Sequence, residues 1–182
     1  MNYNKIKPAS PDKVKGKLVK YRKGDCLTID CGTGKHLAVL VSEKFNKFYD
    51  FTLIEFHQAR NPTVGDFVKG RFFGKYLDSS TIGLLVTTER AMIPCFEVDA
   101  NEHIEKVGSL DLIDDLKRGD YFYVKDVEEL YQFYVEDIPL RLQKTINVEK
   151  YPQLYQTGQR LIEVKHILKQ YQPLTKAPQN GS

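Results

Sequence analysis

Tryptophan is absent from this chain of 182 residues, and cysteine, with three, and histidine, with four, are scarce. An odd and low number of thiols argues against a disulfide framework and suits a reducing compartment. Cys26 and Cys31 stand five apart on one expected strand, so they face opposite ways and jointly hold neither a metal nor a bridge. His36, His57, His103 and His166 are scattered, with none of the spacings that set two imidazoles on one helix face. No metal and no cofactor is expected. There is also no apolar run near the ~18 residues that span a bilayer. The opening MNYNKIKPAS lacks the apolar centre of an export signal, and the expected location is the cytoplasm.

Familiar catalytic patterns are missing as well. Gly32-Thr33-Gly34-Lys35 has the residue types of a phosphate loop, but neither its spacing nor the helix that must follow. Asp114-Asp115 and Glu128-Glu129 are adjacent carboxylates, and adjacent helical residues point in different directions, so neither pair is a ready acid/base dyad. Ser79-Ser80 has no glycine elbow, and Cys95, after Pro94, reads as a buried strand thiol. No catalytic residue is assigned, and a non-catalytic protein is expected.

What is present belongs to a folded globular chain: 41% hydrophobic and 12% aromatic residues over a length of about one domain. The clearest object is a hairpin. Gly24-Asp25 turns the chain, and residues 26–31 alternate Cys26, Thr28 and Asp30 with Leu27, Ile29 and Cys31, the period of a half-buried strand. A Gly-rich loop at 32–35 leads to an apolar return strand at 37–41. Residues 14–21 are expected to pair as an edge strand, 42–47 to form a polar connection, and 48–56 (FYDFTLIEF) to form a strongly β-prone strand. Gly65-Asp66 opens a short strand or turn at 67–73.

Helices are expected mainly later. Asp78-Ser79-Ser80 caps one carrying Ile82, Leu85 and Val86; Ser109 caps another at 110–117; Asp126 to Glu129 reads as a capping box for a helix that Pro139 ends or kinks. A last helix is expected at 158–171, and short strands at 95–98, 104–108 and 121–124. The expected architecture is α+β, a bent antiparallel sheet, barrel-like in its N-terminal part, with helices from the C-terminal half packed on it. Residues 1–12 read as a loose basic arm, 13–171 as a single domain (β-rich over 13–76, mixed over 77–171), and 172–182 as a flexible tail.

Charge is uneven. Residues 1–24 carry eight Lys or Arg against Asp12 alone, a balance of +7; residues 97–149 carry fourteen acidic and six basic residues, a balance of −8. An acidic segment suits a basic partner, such as a nucleic-acid-directed toxin. Within it Asp114, Asp115, Asp120, Glu128 and Glu129 lie near Tyr121, Tyr123 and Tyr131, the charged rim and aromatic anchors of a protein interface. These eight are the candidate partner-binding residues. The alternative is a nucleic-acid-binding, β-barrel-like module that uses the Lys-rich N-terminal segment.

Gly24-Asp25-Cys26-Leu27-Thr28-Ile29, the turn with Gly32 and Gly34, and Ala38-Val39-Leu40-Val41 resemble the opening of the immunity protein twenty-six family, small bacterial proteins encoded beside polymorphic toxins. The strand at 48–56 and GRFFG at 70–74 extend the likeness over roughly residues 20–75. Asp30 stands where the family commonly has Pro, and His36-Leu37 replaces its usual aromatic. The resemblance implies a protein that binds and occludes a cognate toxin, with no catalytic residue to carry over.

Overall fold

Gly24 sets the first strand. Its φ of +93° suits a residue without a Cβ; its N–H donates to Val41 O and its carbonyl accepts from Leu110 N–H, so the chain reverses tightly into β1 (Asp25–Asp30). The computed structural model describes residues 20–79, 83–146 and 159–170. The expected arm at 1–12, nearly all of the expected strand at 14–21, and the tail at 172–182 lie outside them. A loop with Gly32 and Gly34 both at positive φ joins β1 to β2 (His36–Phe45), paired from Cys26↔Leu40 to Asp30↔His36. The hairpin read from the sequence is therefore present, and Leu27, Ile29, Val39 and Val41 are buried.

Its second face is buried too. Cys26 and Thr28, read as facing out, are covered because β1 is flanked by two strands and packed on both sides. Leu27, Ile29, Val39, Phe51 and Ile93 belong to one apolar cluster, and Cys26, Leu40, Ile54, Phe72 and Ile162 to another on the opposite face.

The remaining elements are β3 (Phe48–Gln58), α1 (Val64–Val68), β4 (Arg71–Ser79), β5 (Gly83–Pro94), α2 (Cys95–Asp99), β6 (Ile104–Ser109), β7 (Lys117–Tyr123), α3 (Val127–Gln132), a π turn (Phe133–Asp137), α4 (Ile138–Ile146), β8 (Gln159–Glu163) and a 3₁₀ turn (Val164–Ile167). The strands form one sheet in the order β6-β1-β2-β3-β4-β5-β7, with β8 on β4. It is α+β, and the sheet is open, not closed into a barrel. Pairing is antiparallel except between β5 and β7, which run parallel. The sheet forks at β3: Thr52 pairs with Arg90 of β5, whereas Ile54 pairs with Phe72 of β4. Leu130, Phe133 and Ile138 seat the α3–α4 stretch on the first apolar cluster, while Phe67 of α1 and Val164 and Ile167 of the 3₁₀ turn cover the second. Among the described residues, no helix is long and apolar enough to cross a membrane.

Several elements depart from the sequence reading, each where a tertiary partner outweighed a local signal. The connection at 42–47 shrinks to Asn46-Lys47, with Asn46 at φ 53°, because β2 runs on to Phe45. Residues 67 and 68 are helical: the Thr63 side chain caps α1 and Asp66 returns the bond to the Thr63 N–H, so the strand begins only at Arg71. The helix expected after Asp78 is a hairpin instead, with β4 and β5 in register from Gly74↔Thr88 to Ser79↔Gly83. Pro94 starts α2 where a strand was expected, its fixed φ suiting a helix entry, and Cys95 and Val98 turn inward three apart.

The segment at 110–117 is extended, because its backbone groups bond elsewhere: Leu110 N–H to Gly24 O, Ile113 N–H to Ile167 O, and Asp111 O from Lys169 N–H. β7 already begins at Lys117, so Gly119 and Asp120 lie inside it. Residues 159–163 pair with β4 as a strand, not a helix. Pro139, expected to end or kink the helix before it, does not end it: α4 runs on from Ile138 to Ile146, directly after the π turn. Ile138 N–H donates to Phe133 O, a five-residue step, and this widened turn takes up the register that a residue without an N–H disturbs.

Candidate partner-binding surface

The eight candidate residues divide into three groups. Asp114 and Asp115 sit in the exposed turn between Leu112 and β7, where Asp114 pairs with Lys169 at 3.2 Å. Asp120 on β7 meets Lys75 of β4 at 2.8 Å, and that ammonium holds its carboxyl below the usual range. Asp114 and Asp120 thus serve intramolecular pairs, and none of the three carboxylates lines either groove described below.

The other five flank one helix. β7 places Tyr121 and Tyr123 at the surface, each 57% exposed, because Phe122 between them turns inward and packs on Phe133 with ring centroids 4.6 Å apart. Between β7 and the helix runs a groove of about 450 Å³ lined by Tyr121, Tyr123, Glu129, Gln132, Glu136, Asp137 and Arg141, among others. Arg141 lies 3.7 Å from the centroid of Phe122 and closes one end over that ring. On the helix's other side a groove of about 560 Å³ is lined by Asp30, Cys31, Thr33, His103, Glu128, Tyr131, Gln132, Val135 and Glu136, among others. Gln132 and Glu136 line both grooves, so the two form one continuous surface around the outer face of the π turn.

The helix is fixed from its first residue. The Asp126 side chain accepts from Glu129 N–H at 2.8 Å, and the Glu129 carboxylate reaches back to Lys125 N–H at 2.6 Å, one residue beyond the reciprocal partner expected of a capping box. Tyr131 OH lies 3.3 Å from His57 Nε2, and Tyr134 OH accepts from Phe56 N–H at 2.9 Å, tying the helix to β3. Burial pushes the Tyr134 phenol up to about 12 and, helped by the Lys35 charge, holds His57 below its ordinary value. Burial also pushes the Cys31 thiol, on the wall of the second groove, up to about 11, so it is no thiolate at neutral pH.

Sequence reasoning missed Asp30, Gln132, Glu136 and Asp137. The signal was there in part: Glu136-Asp137 stands on the polar side of the same periodic stretch, but Asp30 reaches this surface only through the hairpin. No protein-family model matches the chain, and no curated protein and no solved structure matches it either.

Proposed function

We propose that this is a non-catalytic binding protein of the bacterial cytoplasm, an immunity protein that binds and occludes a basic cognate toxin. The observation that carries the reading is the continuous double groove around Gln132 and Glu136, where Asp30, Glu128, Glu129, Glu136 and Asp137 border Tyr121, Tyr123 and Tyr131. Five carboxylates, against Arg141 and an imidazole at His103, make a rim that attracts a cationic surface. The tyrosines supply rigid amphipathic anchors that lose little entropy on docking. The resemblance of residues 20–75 to the immunity family supports the same class. No reaction is assigned to the surface, and it acts by covering its partner.

Co-expression with the product of the neighbouring reading frame, followed by native mass spectrometry, tests this. The expected result is a 1:1 complex that survives about 0.5 M salt, well beyond the range in which screened surface charge alone holds proteins together. The reading fails if the two proteins elute separately at low salt and the activity of the neighbouring product is untouched by this chain.

A further inference from the structure

The groove beside β7 touches Tyr121, Phe122, Tyr123 and Val124, four residues in a row. Side chains alternate across a sheet, and Phe122 turns to the helix while Tyr121 and Tyr123 lie open to solvent. A groove that meets all four therefore runs along the edge of the strand, not over one face of it. The edge is the outer one. β7 ends the sheet, and among the described residues β5 is its only strand neighbour. In their parallel ladder Tyr123 stands across from Met92, and Val124 N–H donates to Met92 O at 2.9 Å. Bonding to β5 thus falls to Phe122 and Val124, and alternation turns the N–H and C=O of Tyr121 and Tyr123 outward, toward the groove. The charges that guard an edge, Lys117, Arg118 and Asp120, stand in the first half of β7, and Tyr121 to Tyr123 carry none.

We propose that the partner adds an extended segment of its own chain to β7, its backbone pairing with Tyr121 and Tyr123. This docking rests on the occlusion proposed above and specifies how the occluded protein is held. Main-chain bonds at the edge supply affinity, and the side chains around them supply selectivity. The wall facing β7 carries Glu129, Gln132, Glu136 and Asp137, with Arg141 closing one end over Phe122. Carboxylates outnumber cations in that lining, and the basic side chains nearby are balanced. Asp50, with Glu43 across from it, holds Arg90 and Arg118, and Asp120 holds Lys75. Lys125, just past Val124, is followed by Asp126. The added strand accordingly turns basic side chains toward the helix. A second copy of this chain would bring the same acidic wall against its own image, which counts against self-pairing.

Amide hydrogen exchange followed residue by residue by NMR tests the added strand, on the free chain and on its complex with the product of the neighbouring reading frame. The Phe122 and Val124 amides should exchange slowly in both states. Those of Tyr121 and Tyr123 should exchange fast in the free chain and at least about tenfold more slowly in the complex. Tyr123→Pro removes an N–H that β5 does not use, a change that an edge strand tolerates. It should bind the partner about tenfold more weakly than Tyr123→Ala, which loses the ring and keeps the N–H. Melting curves check both variants, and if Tyr123→Pro is unfolded the exchange rates decide alone. Tyr121 and Tyr123 amides that do not slow on binding, or equal affinities for the two folded variants, would overturn the strand and leave the occlusion standing. Amides already slow in the free chain would mean that the edge is occupied by this chain's own residues or a second copy, and would overturn it too. Absence of any complex would overturn the occlusion, and the strand with it.

Discussion

Two glycines in the same hairpin differ in what a methyl group would meet. At Gly24 a Cβ would run into the Leu110 carbonyl, whose own N–H is bonded to the Gly24 oxygen, so neither segment can move away without breaking that bond. At Gly32 the φ is also positive, but no atom lies within 4 Å of the added carbon. Gly32→Ala should therefore cost only the left-handed backbone penalty, about 1 kcal/mol. Gly24→Ala adds a backbone clash and should cost more than ~2 kcal/mol, enough to be seen as a clear shift in a denaturant midpoint. Ile29 gives the opposite test. It is fully buried, with Leu27, Val39 and Val41 in the same apolar cluster and no basic side chain in that cluster. Ile29→Asp should cost several kcal/mol and leave little soluble, cooperatively melting protein. A variant that melts like the parent would mean that the core face of β1 has been taken the wrong way round.

The docking of the helix makes folding sensitive to acid. His57 on β3 touches the rings of Tyr131 and Tyr134, and burial, with the Lys35 charge, lowers its pKa from 6.5. The unfolded chain therefore takes up a proton first as pH falls through the ordinary histidine range, while folded His57 stays neutral. Stability present above that range declines as pH falls through it, and levels off once the folded imidazole protonates too. His166 shifts the same way, again mainly through burial. Melts between about pH 7.5 and 5.5 should show a falling midpoint, and His57→Gln should flatten the slope. A steeper slope in that variant would place the proton uptake elsewhere.

The same elements show what was legible in the sequence. The hairpin, the strand at 48–58, the short strand at 104–109 and the capped start of α3 were readable, because alternation, a Gly-rich turn and an Asp cap act within a few residues of themselves. The stretch after Asp78-Ser79-Ser80 and the segments at 110–117 and 158–171 were read as helices, and Gly83–Pro94, 110–117 and Gln159–Glu163 are extended. There Leu85 and Val86, or Leu112, Ile113 and Leu116, fit a helical stripe as well as a strand. The choice was made by Thr88 across from Gly74, by Gly24 O and Ile167 O, and by β4, all remote in the chain. The candidate surface was half legible for the same reason. Tyr121, Tyr123, Glu128, Glu129 and Tyr131 lie on one helix and the strand before it, whereas Asp30 arrives from a hairpin some hundred residues away and Asp114 is drawn off to Lys169.

At the scale of the molecule, charge is unevenly spread: Asp30, Glu128, Glu129, Glu136 and Asp137 line the two grooves around the α3–α4 stretch against Arg141 and His103, whereas Arg90 and Arg118 on β5 and β7 are paired with Asp50. This unevenness decides which acidic residues should govern encounter with a basic partner. Steering depends on the field at the docking surface, which falls off over a screening length of about 8 Å at physiological salt. Glu128 and Glu136 line the grooves, and Glu128 is exposed. Reversing both to Lys changes the local charge by four and should slow association at least tenfold, more strongly at low salt, while dissociation changes less. Asp114 and Asp115 are also exposed and change the net charge by the same amount when reversed, but Asp114 is paired with Lys169 and neither lines a groove. Their double reversal should alter association only by the small, fully screened effect of net charge. Tyr123→Ala should leave association nearly unchanged and raise the off-rate by the equivalent of ~2 kcal/mol if the ring is an anchor. Association and dissociation rates measured at two salt concentrations on all three variants, each checked by a thermal melt, separate these effects. Equal slowing by the Asp114/Asp115 and Glu128/Glu136 reversals would mean that net charge, not the double groove, steers the partner, and the interface would have to be sought on another face.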